Sequence, residues 1–429
     1  MNILRYPEKS EWSGLLQRPQ LNYHTLEDQV RKIIDDVALN GDAAVKAYAR
    51  EFDRYDAESL EVTMEEIQAA RSQVSKELKK AIDEAHWNIQ TFHKKQMHQT
   101  ETIVTTAGVR CWQKPVPISR VGLYIPGGSA PLLSTVLMLG IPAKIAGCRE
   151  VILCTPPDSD GKVSASILYI AGLLGIDRVF RVGGVQAIAA MAHGTESIPS
   201  VNKIFGPGNQ YVTMAKQIVS RETVAIDMPA GPSELAVVAD STSNPSFIAS
   251  DLLSQAEHGP DSQVLLISDS GDMIDRVKAE LQRQLEDLPR KEIASKALNN
   301  SKMILLKSQK EIMEMVNEYA PEHLIIVTKN YTDLAEQVDN AGSVFLGDYT
   351  PESAGDYASG TNHTLPTNGW ANSYSGVNMD SFYKKITFQE ISRYGLHNIG
   401  DAIMTMARAE ELQAHSNAVS IRLTYKVDE

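Results

Sequence analysis

The sequence predicts an α/β protein: two open, mostly parallel, Rossmann-like α/β units, with a helical N-terminal region before them and an extended C-terminal tail behind. Three observations predict it. From about Val121, short apolar runs alternate with helical stretches, the pattern of parallel strands joined by right-handed crossovers. The alternation recurs after the turn MPAGPS at residues 228–233. The first hundred or so residues read as helical.

In the N-terminal region Thr25-x-x-Asp28 and Thr63-x-x-Glu66 resemble capping boxes, in which a hydroxyl and a carboxylate satisfy orphan N–H groups. After Thr63 the positions Ile67, Ala70, Val74, Leu78, Ile82, Ala85, Ile89 and Phe92 keep a helical period and predict one long amphipathic helix. His86, His93 and His98 lie on its flank or tail without a ligand partner at i+3 or i+4, and read as solvated or half-buried. The strands of the first α/β unit are VGLYI (121–125), VILC (151–154), RVFRV (178–182), NKIF (202–205) and TVAI (223–226), separated by helices at 131–146, 163–174 and 185–192. The second unit repeats the pattern with ELAVVA, QVLLIS, MILLK, LIIV and SVFLG. In the tail, 387–394 and 400–413 read as helical and VSIRLTY as a strand, too little for a core of its own. Such a tail must dock on its own body or on another subunit. The boundaries drawn this way are an arm at 1–22, one domain of 23–120 with 234–380, a second at 121–233, and the tail at 381–429.

At 429 residues the chain suits two domains plus appendages, and 43% hydrophobic with 22% charged residues is ordinary for a soluble globular protein. A net charge of −13 argues against nucleic acid or anionic lipid as the main partner. No run is long enough to span a membrane, and MNILRYPEKSEW lacks the layout of a signal peptide. The expectation is therefore a cytoplasmic protein, or a plastid one whose transit segment has been removed. Cys111, Cys148 and Cys154 are too few and too irregular for a disulfide framework or a zinc ribbon; Cys148 and Cys154 read as small buried residues.

Ligands of open α/β sheets bind beyond the carboxyl ends of the strands. In the first unit the strand carrying Tyr124 runs into Pro126-Gly-Gly-Ser129, and later strands run into Gly183-Gly184-Val-Gln186, Gly206-Pro-Gly208-Asn209 and Ala230-Gly-Pro-Ser233. Four glycine-rich loops on one rim fit a nucleotide or phosphate site, although each is also compatible with an ordinary tight turn. No GxGxxG fingerprint is present. A second constellation is Gln255 and His258, which share a face in the last helical turn before Gly259-Pro260, where the helix dipole favours a cation. A capping or core role is the alternative. With Asp356 in PESAGDYASGTNH and His415 in the tail they make a mixed nitrogen and oxygen donor set that suits Zn²⁺ or Mn²⁺. A third is Glu322-His323 in APEHL, two proton acceptors of different basicity, or else a loop with a structural histidine.

Together these motifs resemble the histidinol dehydrogenase family. IDMPAGPSEL through DLLSQAEHGP, VGLYIPGGSAPL, RVGGVQAIAA, GPGNQYV, APEHL and TPESAGDYASGTNHTLPT are similar to that family's motifs in order, and the resemblance covers essentially the whole chain. It implies oxidation of L-histidinol through L-histidinal to L-histidine, with NAD⁺ reduced at each step. It further implies one Zn²⁺ per subunit on Gln255, His258, Asp356 and His415, ligands that also meet the substrate. His323 would be the general base and Glu322 would activate the water that hydrates the aldehyde. Ser233, His363 and Glu410 would contact substrate along with His323, and Tyr124, Gln186 and Asn209 would contact NAD. The family is homodimeric, so Glu410 and His415 would reach the neighbouring subunit's site. Two rivals remain on the residues alone: a zinc hydrolase using Glu322 or His323 on a metal-bound water, and a non-catalytic metabolite sensor.

Overall fold

The computed structural model describes residues 1–19, 23–56, 58–127, 131–229 and 231–425, the side chains of 23–25 excepted. The chain divides into two compact units, the first formed by Met1–Gln96 with Ile118–Phe382 and the second by Met97–Pro117 with Tyr383–Glu429.

The first unit opens on β1 (Asn2–Arg5) and α1 (Trp12–Leu15), then α2 (Tyr23–Tyr48), α3 (Met64–Gln73) and α4 (Lys76–Lys94). The capping box at Thr63 forms: Thr63 Oγ1 accepts from Glu66 N, and Glu66 accepts from Thr63 N. Thr25 falls within α2, and its side chain lies outside the described residues. The single long helix expected after Thr63 is two helices. Val74 takes an extended conformation (φ −89°, ψ 133°) and Ser75 caps α4 by accepting from Leu78 N. A β-branched residue followed by a strong N-cap restarts the helix without disturbing its apolar period. His93 is completely buried on α4, its Nδ1 donating to Ile89 O at 2.8 Å.

The β2 (Thr102–Thr106) and β3 (Val109–Pro117) strands belong to the second unit. The chain then returns to the first with β4 (Arg120–Tyr124), α5 (Leu133–Ala146), β5 (Glu150–Thr155), α6 (Ala165–Leu174), β6 (Arg178–Arg181), α7 (Gly184–His193), β7 (Lys203–Phe205), α8 (Gln210–Glu222) and β8 (Ala225–Ile226). These strands form a parallel sheet in the order β6-β5-β4-β7-β8. The strand order reverses at β4, the switch point where such sheets open a crevice. Helices α2, α3 and α4 pack on α7 and α8, on α6 and on α5 respectively. Residues 23–94, grouped by the sequence reading with the later α/β unit, therefore make their helix contacts with the helices of this sheet. Val30, Ile34, Val37 and Val45 of α2 share a core with Ile188 and Ile218.

Next come β9 (Glu234–Ala239), α9 (Pro245–Ala256), β10 (Gln263–Ser268), α10 (Gly271–Glu286), α11 (Lys291–Asn299), β11 (Lys302–Leu305), α12 (Gln309–Tyr319), β12 (His323–Ile326), α13 (Tyr331–Ala335), β13 (Ser343–Leu346) and α14 (Glu352–Tyr357). The strands form a second parallel sheet, β1-β11-β10-β9-β12-β13, with the N-terminal β1 as an edge that the helical reading of the first hundred residues did not anticipate. Leu235, Val237, Ala239, Val264 and Leu266 enter one core, and Ala236, Val238, Leu265 and Ile267 the other. Burial on both faces explains why these strands are continuous apolar runs.

The second unit is a three-stranded antiparallel sheet, β14-β3-β2, with β14 at Tyr383–Ile391, followed by α15 (Arg393–Ala409) and α16 (Gln413–Thr424), which pack together. Two expectations reverse here. Residues 387–394 were expected to be helical, but β14 pairs with β3 from Tyr383↔Pro117 to Ile391↔Val109, and the helix starts at Arg393. VSIRLTY was expected to be a strand but lies mostly within α16. Both are short patterns whose period is ambiguous, and tertiary pairing decides them. Among the described residues no helix is long and apolar enough to cross a membrane.

Candidate active site

The two parallel sheets present opposite ends to the chemistry-bearing residues. In the five-stranded sheet, Tyr124 ends β4, Gly184 opens α7 after β6, and Asn209 caps α8 after β7, all at carboxyl ends. In the six-stranded sheet the residues gather at amino ends: Ser233 precedes β9, Glu322 precedes β12 and His323 opens it, and α9 delivers Gln255 just before the chain returns to β10.

Tyr124, Gln186 and Asn209 line one cavity of about 1030 Å³, spacious for a ligand pocket. The Tyr124 hydroxyl accepts from Gly184 N at 3.1 Å, and burial pushes its pKa up to about 12. The Asn209 side chain accepts from Tyr211 N and Val212 N, fixing the start of α8. Gln186 is buried, yet neither its Oε1 nor its Nε2 has a partner. An orphaned amide facing a large cavity between helix N-termini fits a polar, phosphate-bearing ligand. Residues 128–130 and 230, parts of two of the four glycine-rich loops, lie outside the described residues.

Ser233, His258, Glu322, His323, Asp356 and His363 line a second cavity of about 460 Å³. Pro126, Gly127 and Asn209 line both cavities, so the two adjoin. Glu322 and His323 are buried. The Glu322 carboxylate accepts from Glu234 N at 2.9 Å; burial, then the carboxylates of Glu234 and Asp356, raise its pKa well above the usual range. His323 Nδ1 lies 3.2 Å from Glu234 O. A carbonyl only accepts, so Nδ1 carries the proton and Nε2 keeps a free lone pair. That Nε2 is buried without a hydrogen-bond partner, 3.8 Å from Asp356 Oδ1. Burial lowers the His323 pKa to about 3 and that of His363 to about 4, so both rings are neutral near pH 7. Asp356 is raised to about 7 by burial.

Gln255 is fully buried and is not among the residues lining this cavity. With its nitrogen turned to Glu352 it donates to that carboxylate, and its oxygen accepts from Glu234 N at 3.3 Å. Glu410 ends α15 and His415 lies in α16; both are exposed residues of the second unit. Among the described residues no three His, Cys, Asp or Glu side chains converge as a metal site. Of the expected ligands, His258 and Asp356 line the second cavity, whereas the Gln255 amide is engaged by Glu352 and Glu234 N. Around His323 lie Glu322, Glu352 and Asp356, the proton affinity of each raised by burial and those of Glu322 and Glu352 also by neighbouring carboxylates. A buried surplus of carboxylates beside orphaned imidazole nitrogens is a donor set that a divalent ion would neutralise.

Three residues of this site were not singled out by the sequence reading. Glu234 is a charge opening an otherwise apolar strand, a visible oddity. Arg18, paired with it across 216 positions, has no local mark at all. Glu352 stands four residues before Asp356 on α14, a helical spacing that could have paired them.

The family model for histidinol dehydrogenase matches residues 16–423. The chain is 60% identical over 423 residues to the histidinol dehydrogenase of Bacteroides thetaiotaomicron, covering 99% of each. It is 52% identical over 412 residues to that of Escherichia coli, covering 95% of this chain and 94% of the other. The crystal structure of histidinol dehydrogenase from Elizabethkingia anophelis superposes with a TM-score of 0.96 at 52% identity, over 99% of this chain and 98% of that one. Sequence and fold thus agree along the full length, and the chain belongs to the histidinol dehydrogenase family.

Proposed function

We propose that this chain oxidises L-histidinol through L-histidinal to L-histidine, with NAD⁺ accepting a hydride at each step and Zn²⁺ holding the substrate. The observation that carries the reading is the state of His323, a neutral ring with Nδ1–H held by a carbonyl and an unpartnered Nε2 facing the cavity. Such a ring takes the hydroxyl proton at Nε2 while hydride leaves the carbinol carbon. Glu322, whose proton affinity is raised by burial, acts as base toward the water that hydrates the aldehyde. Ser233, His363 and Glu410 contact substrate, and Tyr124, Gln186 and Asn209 contact NAD.

Gln255, His258 and Asp356 would hold Zn²⁺ together with His415 of the partner subunit in a homodimer. The ion would supply orientation, binding the amine and imidazole of the substrate so that the carbinol carbon faces the nicotinamide. The adjoining cavities support transfer between two ligands held side by side. Three unpaired cysteines fit a reducing, cytoplasmic setting. The test is NADH formation by the purified protein with histidinol, NAD⁺ and Zn²⁺. Two NADH per histidine formed is the expected result, and no NAD-dependent signal would overturn the reading.

A further inference from the structure

We infer that Arg18 is a positioning residue for the catalytic pair, acting through the carboxylate of Glu234; the inference rests on the roles proposed above for Glu322 and His323. Glu234 is the residue on which both depend. Its N–H donates to Glu322 Oε2 at 2.9 Å, and its carbonyl accepts from His323 Nδ1 at 3.2 Å. Both contacts leave from one residue, so any rotation about its backbone dihedrals displaces the base and the water-activating carboxylate together.

Besides the pairing of β9 with β10, its own side chain fixes that residue. The Glu234 carboxylate is 2% exposed and is pinned at three points: Arg18 Nε to Oε1 at 2.8 Å, Arg18 Nη2 to Oε2 at 2.9 Å, and Asn368 N to Oε1 at 2.6 Å. Arg18 is anchored in turn. Its guanidinium lies 4.0 Å over the Tyr319 ring and donates to Tyr319 O, while the Tyr319 hydroxyl donates to Gln263, the strand partner of Glu234. A planar fork gripping both oxygens sets the direction of a carboxylate, which a point charge does not. The pairing also places a cation on the carboxylate of the residue whose backbone holds both Glu322 and His323.

A purely structural ion pair predicts something else: lower stability with unchanged turnover per folded molecule. The experiment therefore compares the wild type, Arg18→Lys, and the double variant Arg18→Met/Glu234→Gln, which leaves no buried charge orphaned. Two readouts are taken: kcat and KM per folded molecule, and the ring ¹⁵N resonances of His323, assigned by their loss in His323→Asn. The expected result for the double variant is a kcat lower by about tenfold or more, with both KM values within about twofold. The His323 ring shifts should move from a fixed Nδ1–H tautomer toward the averaged values of an exchanging ring. Arg18→Lys, which keeps the charge but loses the fork, should fall between the two. Wild-type kcat per folded molecule and unmoved ring shifts in the double variant would overturn the inference, whatever its melting temperature. If the double variant does not fold, Arg18→Lys decides by the same two readouts. A wild type that fails to oxidise histidinol would sink the proposed function, while the ring shifts would still test the positioning role.

Discussion

Replacing His323 by Asn removes the proposed proton acceptor of both oxidations, so kcat should fall by about 10²–10⁴-fold with histidinol and with supplied histidinal alike. Glu322→Gln should spare the first hydride transfer and slow mainly the second. Single-turnover NADH formation from each substrate separates the steps, and an equal loss in both for Glu322→Gln would remove its assigned role. Asp53 gives a prediction about pH. It lines the larger cavity, its Oδ2 is buried without a partner, and burial raises its pKa from 3.8 to about 6. The folded pKa exceeds the unfolded one, so the native state binds more protons between these values. Its stabilising contribution is complete below about 4 and is lost as pH rises through 6. Asp53→Asn should therefore raise the melting temperature at pH 8 by about 2 °C, allowing for the solvent that still reaches the group, with a gain that shrinks toward pH 4. A gain independent of pH would mean that the carboxylate is not the cause. The residues proposed to react were singled out because side-chain type and neighbours in sequence mark them, as in Glu322-His323 and Gln255-x-x-His258. Arg18 and Glu234 were not, since an ion pair across 216 positions leaves no local pattern.

At the scale of elements, the loop from β7 to α8 shows how a glycine-rich turn is held in shape. Gly206 has φ 130°, and a Cβ there would collide with Tyr124 O. Its peptide groups are clamped from both sides: Gly206 N donates to Asp227 Oδ2 at 2.8 Å, and Gly206 O accepts from Lys216 Nζ at 2.8 Å. Lys216 and Asp227 form an ion pair with side chains 4% and 1% exposed. Lys216→Met would leave Asp227 buried and unpaired, costing about 3–5 kcal/mol by denaturant unfolding. Because the loop delivers Asn209 to the cavity, the KM for NAD⁺ should also rise, and an unchanged unfolding midpoint would show the pair to be dispensable. The β-strands of both sheets were readable because burial on two faces writes them as apolar runs. β14 and α16 were not, because each owes its form to one neighbour, β3 and α15 respectively. The break between α3 and α4 escaped for the opposite reason. The apolar period runs on through Val74, and only the cap at Ser75 marks the restart.

The whole molecule raises the matter of what covers the second unit. Its helices bury little of themselves, only Gly395, Gly400 and Ala407 in α15 and Ser416 and Val419 in α16. Ile103, Val104, Met406, Leu412 and Ile421 are exposed. Exposed apolar side chains on so small a unit fit a covering surface, which the proposed homodimer would provide. In that dimer His258 and Asp356 of one subunit meet His415 of the partner subunit. Subunits carrying His258→Ala and subunits carrying His415→Ala should then both be inactive alone. A heterodimer of the two has one site with both defects and one with neither. Random mixing makes half of the dimers hetero, each with one complete site of two, so activity should return to about a quarter of wild type. Zinc content should follow the same fraction, which separates a restored site from a merely stabilised subunit. Proven heterodimers without activity would place both ligands in one subunit and leave the exposed tail a purely adhesive role.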